Sequence, residues 1–165
     1  AERPAGAMGL TFLPYLLGEK TPLHDPSARG AINGLTLSHD LGHIWRAVLE
    51  SYAYAIRHHI ETFNDIGYET TRFFVSDGGA QSDVWMGIVA DVLGVPLQRL
   101  GGHPGSCLGA AWVAAVSCGA ADWSGITALT RREALIEPDP AHREIYDTGY
   151  AHFRDLYERL KGTTT

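Results

Sequence analysis

Residues 71–100, TRFFVSDGGAQSDVWMGIVADVLGVPLQRL, constrain the fold more than any other stretch of the chain. TRFFV is apolar and aromatic enough to be a buried strand, and VPLQRL reads as a second short strand. Between them Val84, Trp85, Ile88, Val89, Val92 and Leu93 form a broad apolar face at helical spacing, so a helix is expected from about Ser82 to Leu93, stopped by Gly94. Strands alternating with helices in this way argue for an α/β fold. At the first junction sit an acid and two adjacent glycines, Asp77, Gly78 and Gly79. The first amides of a helix lack intrahelical partners and its N-terminal end is partly positive. Glycines there strip away the Cβ atoms that would hold a ligand off the backbone. Equally, they let the chain turn tightly with an acid as cap. Spacing alone leaves both open.

The flanking segments fit one domain. LTFLPYLL (10–17) gives a strand at an edge or broken at Pro14, and GEKTPLHDPSARG (18–30) gives a long ordered surface loop. AINGLTL (31–37) is a short strand or turn. A long helix follows, capped by Ser38 or Asp40 and ending before Gly67. Its stripe Trp45, Leu49, Tyr52, Ile56, Ile60 and Phe63 is expected to be the buried face, with Arg46, Glu50, Arg57 and Glu61 on another. GSCLGAAWVAAVSCG (105–119) is a small-residue helix suited to packing between larger elements. The last forty or so residues carry helical signals broken at Pro138 and Pro140. They end in a helix bearing Ile145, Tyr146, Phe153, Leu156, Tyr157 and Leu160, with GTTT as a frayed tail.

Composition and motifs narrow the function. A formal net charge of −6 leaves no basic footprint for nucleic acid. No apolar run approaches the roughly 18–20 residues of a membrane span. The opening AERPAGAMG lacks a charged segment followed by an apolar core, so no secretory signal is expected. There is no initiator Met, and the chain enters a buried-strand pattern almost at once, which suggests a fragment of something longer. Cys107 and Cys118 lack metal-ligand spacing and read as buried free thiols of a reducing compartment. Neither G-x-G-x-x-G, a phosphate loop nor G-x-S-x-G is present. GGHPGS (101–106) is a second glycine-rich junction, either an anion site or a loop capped by Ser106. Both junctions are candidates for the same sheet edge, where open α/β sheets place ligands. His39 and His43 stand four apart, without a third ligand at a recognisable offset. Glu19 and Asp25 share their loop with Lys20, His24 and Arg29, as a catalytic pair or as an ion-pair network that orders the loop.

Three blocks together carry a resemblance. GEKTPLHDPSARG with LTLSH, then VSDGGAQSDVWMGIVADVLGVPLQ, then GSCLGAAWVAAVSCG are similar, in order and without large gaps, to the C-terminal domain of FGGY carbohydrate kinases. The GEKTP loop and LTLSH resemble the xylulokinase and pentulose-kinase branch more than glycerol kinase. The resemblance implies an actin-like ATPase (ribonuclease H-like) fold. Residues 1–165 would be a single domain, the later, nucleotide-side part of the family's C-terminal domain, without the N-terminal sugar-binding domain. It implies cytoplasmic, ATP-dependent phosphorylation of a ketopentose such as xylulose, with Mg²⁺ as the accompanying ion. Matched by motif, Gly78 and Gly79 would lie against adenine and ribose with Ala80 and Gln81 beside them. Asp83 falls where glycerol kinases place an Asn that contacts the nucleotide. The family's catalytic Asp lies upstream of FLPYL, so the resemblance assigns no catalytic residue and no metal ligand here. ATP or ADP, and sugar held through the missing domain, are the implied partners. The terminal helix and the GEKTP loop are each open to a role in a homodimer interface or as cover for the core. The alternative is a non-catalytic actin-like module that binds nucleotide or a partner.

Overall fold

The computed structural model describes residues 3–101 and 105–163. After a 3-10 turn at Ala5–Gly9 come β1 (Thr11–Leu13), β2 (Ala31–Asn33), α1 (Leu41–Asp65), β3 (Phe73–Val75), α2 (Asp77–Ala80) and α3 (Asp83–Leu93). Then follow β4 (Leu97–Gly101), α4 (Ser106–Ser117), a 3-10 segment at Trp123–Leu129, β5 (Arg131–Ile136), a 3-10 turn at Pro140–His142 and α5 (Arg143–Leu160). No described helix is long and apolar enough to cross a membrane.

β1 pairs antiparallel with β2, Phe12 opposite Ile32, and stops before Pro14, which has no N–H to donate. β3 and β4 run parallel with Phe73 opposite Leu97, and β5 adds antiparallel to the far side of β4. Among the described residues β3 is therefore an edge. β5 corrects the expectation of a helical tail. RREALI has no alternation, because all its residues but Ile136 are exposed, and only its pairing with β4 makes it a strand.

Asp40 caps α1. Its carboxylate accepts from the His43 amide at 3.1 Å, and its own amide donates to His43 Nδ1 at 3.2 Å. This is a capping box with His in the place usually held by Glu or Gln. Arg3 donates to the same carboxylate and holds it well below the usual carboxylate range.

Most of the stripe expected to be buried on α1 is not, although Leu49 packs against the core and Ile60 is half-buried. Trp45 is 61% exposed and Phe63 48%, with Tyr52 and Ile56 also exposed. The buried face runs instead through Ala47, Glu50, Ser51, Ala53, Tyr54 and His58. Small residues let the Ala5–Gly9 turn, β1 and α5 come close, and Glu50 enters the core with three partners at its Oε1. Its carboxylate accepts from Arg46 Nε at 2.7 Å and the Gly6 amide at 2.9 Å, with Tyr146 Oη at 3.4 Å. Burial pushes this carboxyl up, and the Arg46 guanidinium opposes the push.

An aromatic centre joins α1 to α5. Tyr54 meets Tyr146, Tyr150 and Phe153 at ring-centroid distances of 5.6–6.4 Å, and Tyr15 after β1 reaches Phe153 and Tyr157. Ile88, Val89 and Val92 of α3 close the same core. The 18–30 loop is ordered, but not by ion pairs: none among the described residues joins its acids to its bases. Backbone bonds between Glu19 and Asp25 at 2.7 and 2.8 Å hold its neck, and Tyr157 Oη donates to Asp25 at 2.9 Å. Two further expectations fail at α4. No described residue of that helix is buried and only Leu108, Trp112, Ala115 and Val116 are half-buried, so among the described residues it is not packed between larger elements. Cys107 and Cys118 are exposed with it. Thr164 and Thr165, the end of the expected frayed tail, lie outside the described residues.

Candidate functional site

The chain leaves β3 through Ser76, which is extended, and turns at Asp77, whose φ of +68° lies in the left-handed region. Asp is one of the few side chains that tolerate it, since its short polar group can bond locally. α2 is a single turn. Ser82 then caps α3, its Oγ accepting from the Trp85 amide at 3.3 Å.

The two glycines of this turn have different reasons to be there. Neither has a positive φ, so the backbone demands glycine at neither position. A Cβ on Gly79 would run into the Trp85 indole, with Cε3 at 3.2 Å, Cη2 at 3.4 Å and Cζ3 closer still. Packing therefore accounts for Gly79. Around Gly78 a Cβ would meet nothing within 4 Å. Nothing in the fold requires glycine at that position, and its backbone stands open.

The other expected site residues scatter in role. Ala80 is 2% exposed and its methyl packs into the core, so only its backbone could face a ligand. Gln81 is exposed, and its amide donates to the Gly78 carbonyl at 3.2 Å. Asp83 projects from the first turn of α3 and pairs with Arg99 of β4, Nη2 to Oδ1 at 2.6 Å. The Asp77 carboxylate lies where a Cβ on Gly105 would stand, just before α4. The two glycine-bearing junctions thus meet at the C-terminal ends of β3 and β4. Gly102, His103 and Pro104 of the second junction lie outside the described residues.

Two cavities flank the turn and share Gly79 and Trp85 as a wall. One, about 470 Å³, extends along Phe74 and Val75 of β3 towards Ile56. The other, about 400 Å³, opens between Trp45, Leu49 and Val84. The lining is mostly apolar, with Ser76 in one cavity and Ser82 in the other; Gly78 is exposed on the adjoining turn without lining either, and the carboxylates of Asp83 and Asp77 are engaged by Arg99 or packed on Gly105. Such a lining can take a flat, partly polar ligand. No group of three or more metal-ligating side chains occurs among the described residues. His39 and His43 stack edge to face at 5.6 Å, with His43 committed to the helix cap.

Sequence reasoning missed Trp85, Arg99 and Gly105 as parts of this junction. Trp85 was legible as a core position of α3, but its contact with Gly79 crosses the turn between two helices, where no periodicity applies.

The signature of the FGGY family of carbohydrate kinases, C-terminal domain, matches residues 1–118. A xylulose kinase of Staphylococcus epidermidis is 31% identical over 99% of this chain and 34% of its own length. A glycerol kinase of Thermus brockianus is 36% identical over 98% of this chain and 33% of its own. The crystal structure of xylulose kinase from Rhodospirillum rubrum superposes with a TM-score of 0.83 at 53% identity, covering 96% of this chain and 32% of that one. The chain spans about a third of the length of the curated relatives it matches. The fold they share is the α/β actin-like ATPase fold.

Proposed function

Because the chain belongs to the FGGY family of carbohydrate kinases, we propose that it is the nucleotide-side part of the C-terminal domain of an ATP-dependent kinase whose acceptor is a ketopentose such as xylulose. The xylulose kinases among its relatives support that acceptor; the glycerol kinases support phosphorylation of a polyhydroxylated substrate more broadly. The observation that carries the nucleotide assignment is Gly78, a glycine that neither backbone conformation nor packing requires, at the mouth of a strand-to-helix junction. Bare backbone there admits the adenosine moiety, with Gly79, Ala80 and Gln81 continuing the surface and Asp83 at its rim. ATP brings the phosphoryl group to be transferred.

Phosphoryl transfer is largely positioning and charge stabilisation, with Mg²⁺ neutralising phosphate charge and a carboxylate taking the hydroxyl proton. Residues 1–165 contribute positioning of the nucleotide. The ion, the base and the sugar contacts we assign mainly to the remainder of a longer polypeptide, since the chain spans only about a third of its relatives' length. The exposed stripe on α1 and the open edge of β3 are the faces that remainder would cover. An ATP-dependent activity of this kind belongs in the cytoplasm.

The test is a coupled ADP-release assay of the full-length protein on a panel of ketoses and polyols, with Gly78→Val beside wild type. Ketose-dependent ADP release is expected, and Gly78→Val should raise KM for ATP at least tenfold with KM for the sugar little changed (a contact of about 1.4 kcal/mol). No turnover with any acceptor would sink the kinase assignment. An unchanged ATP dependence would return this junction to being only a turn.

A further inference from the structure

We infer that Trp85 is the positioning residue of the nucleotide site: its indole fills the volume that a side chain at residue 79 would need, and so sets the turn with Gly78 facing outward. The inference rests on the nucleotide reading above. Four observations carry it. Gly79 has no positive φ, so the indole, not the backbone, excludes a side chain there. The Trp85 amide donates to Ser82 Oγ, which fixes the backbone that carries the ring in the capped first turn of α3, immediately after the turn. The indole is the wall common to both cavities beside the turn, so its displacement would merge or reshape them. Its Nε1 is buried without a hydrogen-bond partner, so packing alone holds the ring. At the other end of the turn the Asp77 carboxylate packs on Gly105. The turn is clamped by Asp77–Gly105 on one side and Gly79–Trp85 on the other. Gly78 is left as its free surface.

Trp85 touches no reacting atom in this account. It acts through the shape of the turn, and that separates it from a residue that merely stabilises α3. A steric interlock has a distinctive signature: enlarging one partner should be relieved by shrinking the other, since neighbours that share one space do not add.

The experiment is a double-mutant cycle in the full-length protein, reading KM for ATP, kcat, KM for the sugar and the dissociation constant of a fluorescent ATP analogue. Gly79→Ala should weaken analogue binding and raise KM for ATP by about tenfold, the scale of forcing one methyl into a filled space. Trp85→Leu alone should raise KM for ATP severalfold, and the double variant should bind the analogue more tightly than Gly79→Ala alone. Gly78→Ala combined with Trp85→Leu should show no such relief. If Gly79→Ala prevents folding, recovery of cooperative thermal unfolding by Trp85→Leu reports the same interlock, and Trp85→Phe gives a milder second partner. Effects that simply add in the Gly79→Ala, Trp85→Leu double variant overturn the inference while leaving the nucleotide site standing. Folded Gly78 and Gly79 variants that all bind the analogue like wild type overturn the nucleotide site itself.

Discussion

α5 and α4 are helices of one chain, yet one is embedded and the other is bare. α5 buries Tyr146, Tyr150, Phe153, Leu156 and Tyr157 and turns Arg154 and Arg159 to solvent. α4, with Ala, Val, Leu and Trp around its whole circumference, buries none of its described residues. A helix with one apolar stripe is satisfied by one neighbour; a helix apolar all round is built for cover on several sides. α1 shows both cases in one element, its Ala47–Tyr54 face packed and its Trp45–Phe63 stripe open. The packed half of the molecule has a finished core. The open half, β3, β5 and α4, has surfaces that the described residues do not cover, and the candidate nucleotide site lies on the border between them.

The contrast breaks most visibly at a pair of truncations. Phe153 is 0% exposed at the centre of the aromatic cluster, so Phe153→Ala should cost about 3–5 kcal/mol. Val113 of α4 is 52% exposed, and Val113→Ala should shift stability by no more than about 0.5 kcal/mol in residues 1–165 taken alone. Urea unfolding midpoints of both variants read the difference. Comparable losses would mean that α4 is packed after all. In a longer protein that covers α4, the Val113→Ala cost should rise.

A second, smaller effect sharpens the same line through pH. His58 lies in the packed half, 6% exposed, and burial is the main cause that pulls its pKa from 6.5 down to about 4, with Arg154 and His59 adding to the pull and Glu61 opposing it. The unfolded chain takes a proton near 6.5, and the folded chain resists until about 4. Between those values the unfolded state holds more protons, so stability is fully present above about pH 6.5 and drains away as pH falls towards 4. The loss attributable to this group is up to about 3 kcal/mol. His58→Leu should flatten that part of the profile of unfolding free energy against pH. An unchanged slope would show that the ring is hydrated in the folded state.

What could be seen in advance divides along the same border. Where an element is covered within the chain, its pattern was readable: the strand broken at Pro14, the Asp40 cap, the stop at Gly94 and the aromatic side of α5 all follow from local chemistry. Where an element is left uncovered among the described residues, large apolar residues misled. The Trp45–Phe63 stripe ranks as the core face by hydrophobicity, while the face in use mixes Ala and Ser with an ion-paired Glu50, Tyr54 and His58. The cysteines failed for the same reason, since they ride on α4. β5 was illegible because an exposed strand has no alternation to show. The site itself was half visible: DGG could be found in the sequence, but not that its glycines serve two ends, one a side chain and the other open space.

Asp83 gives the smallest expected effect and draws the border most finely. Its carboxylate belongs to a side chain 86% exposed, while that of its partner Arg99 is 11% exposed, with Nε lacking a hydrogen-bond partner. Exposed pairs contribute between about 0 and 1 kcal/mol, because water screens the charges and both side chains lose freedom. In Asp83→Asn the amide oxygen can still accept from Arg99 Nη2, so stability should change by less than about 0.5 kcal/mol. The charge nevertheless sits beside the proposed site of a polyanionic ligand. Removing it should lower KM for ATP by about twofold to fivefold at low ionic strength, and the gain should shrink as salt shortens the screening length to about 8 Å. Stability and KM measured on the same full-length variant separate the two roles. A loss above about 2 kcal/mol would make Asp83–Arg99 a structural pair and move the packed half out to the first turn of α3. An unaltered KM at low salt would put the nucleotide's charged groups well away from α3, on the β4–α4 side of the junction.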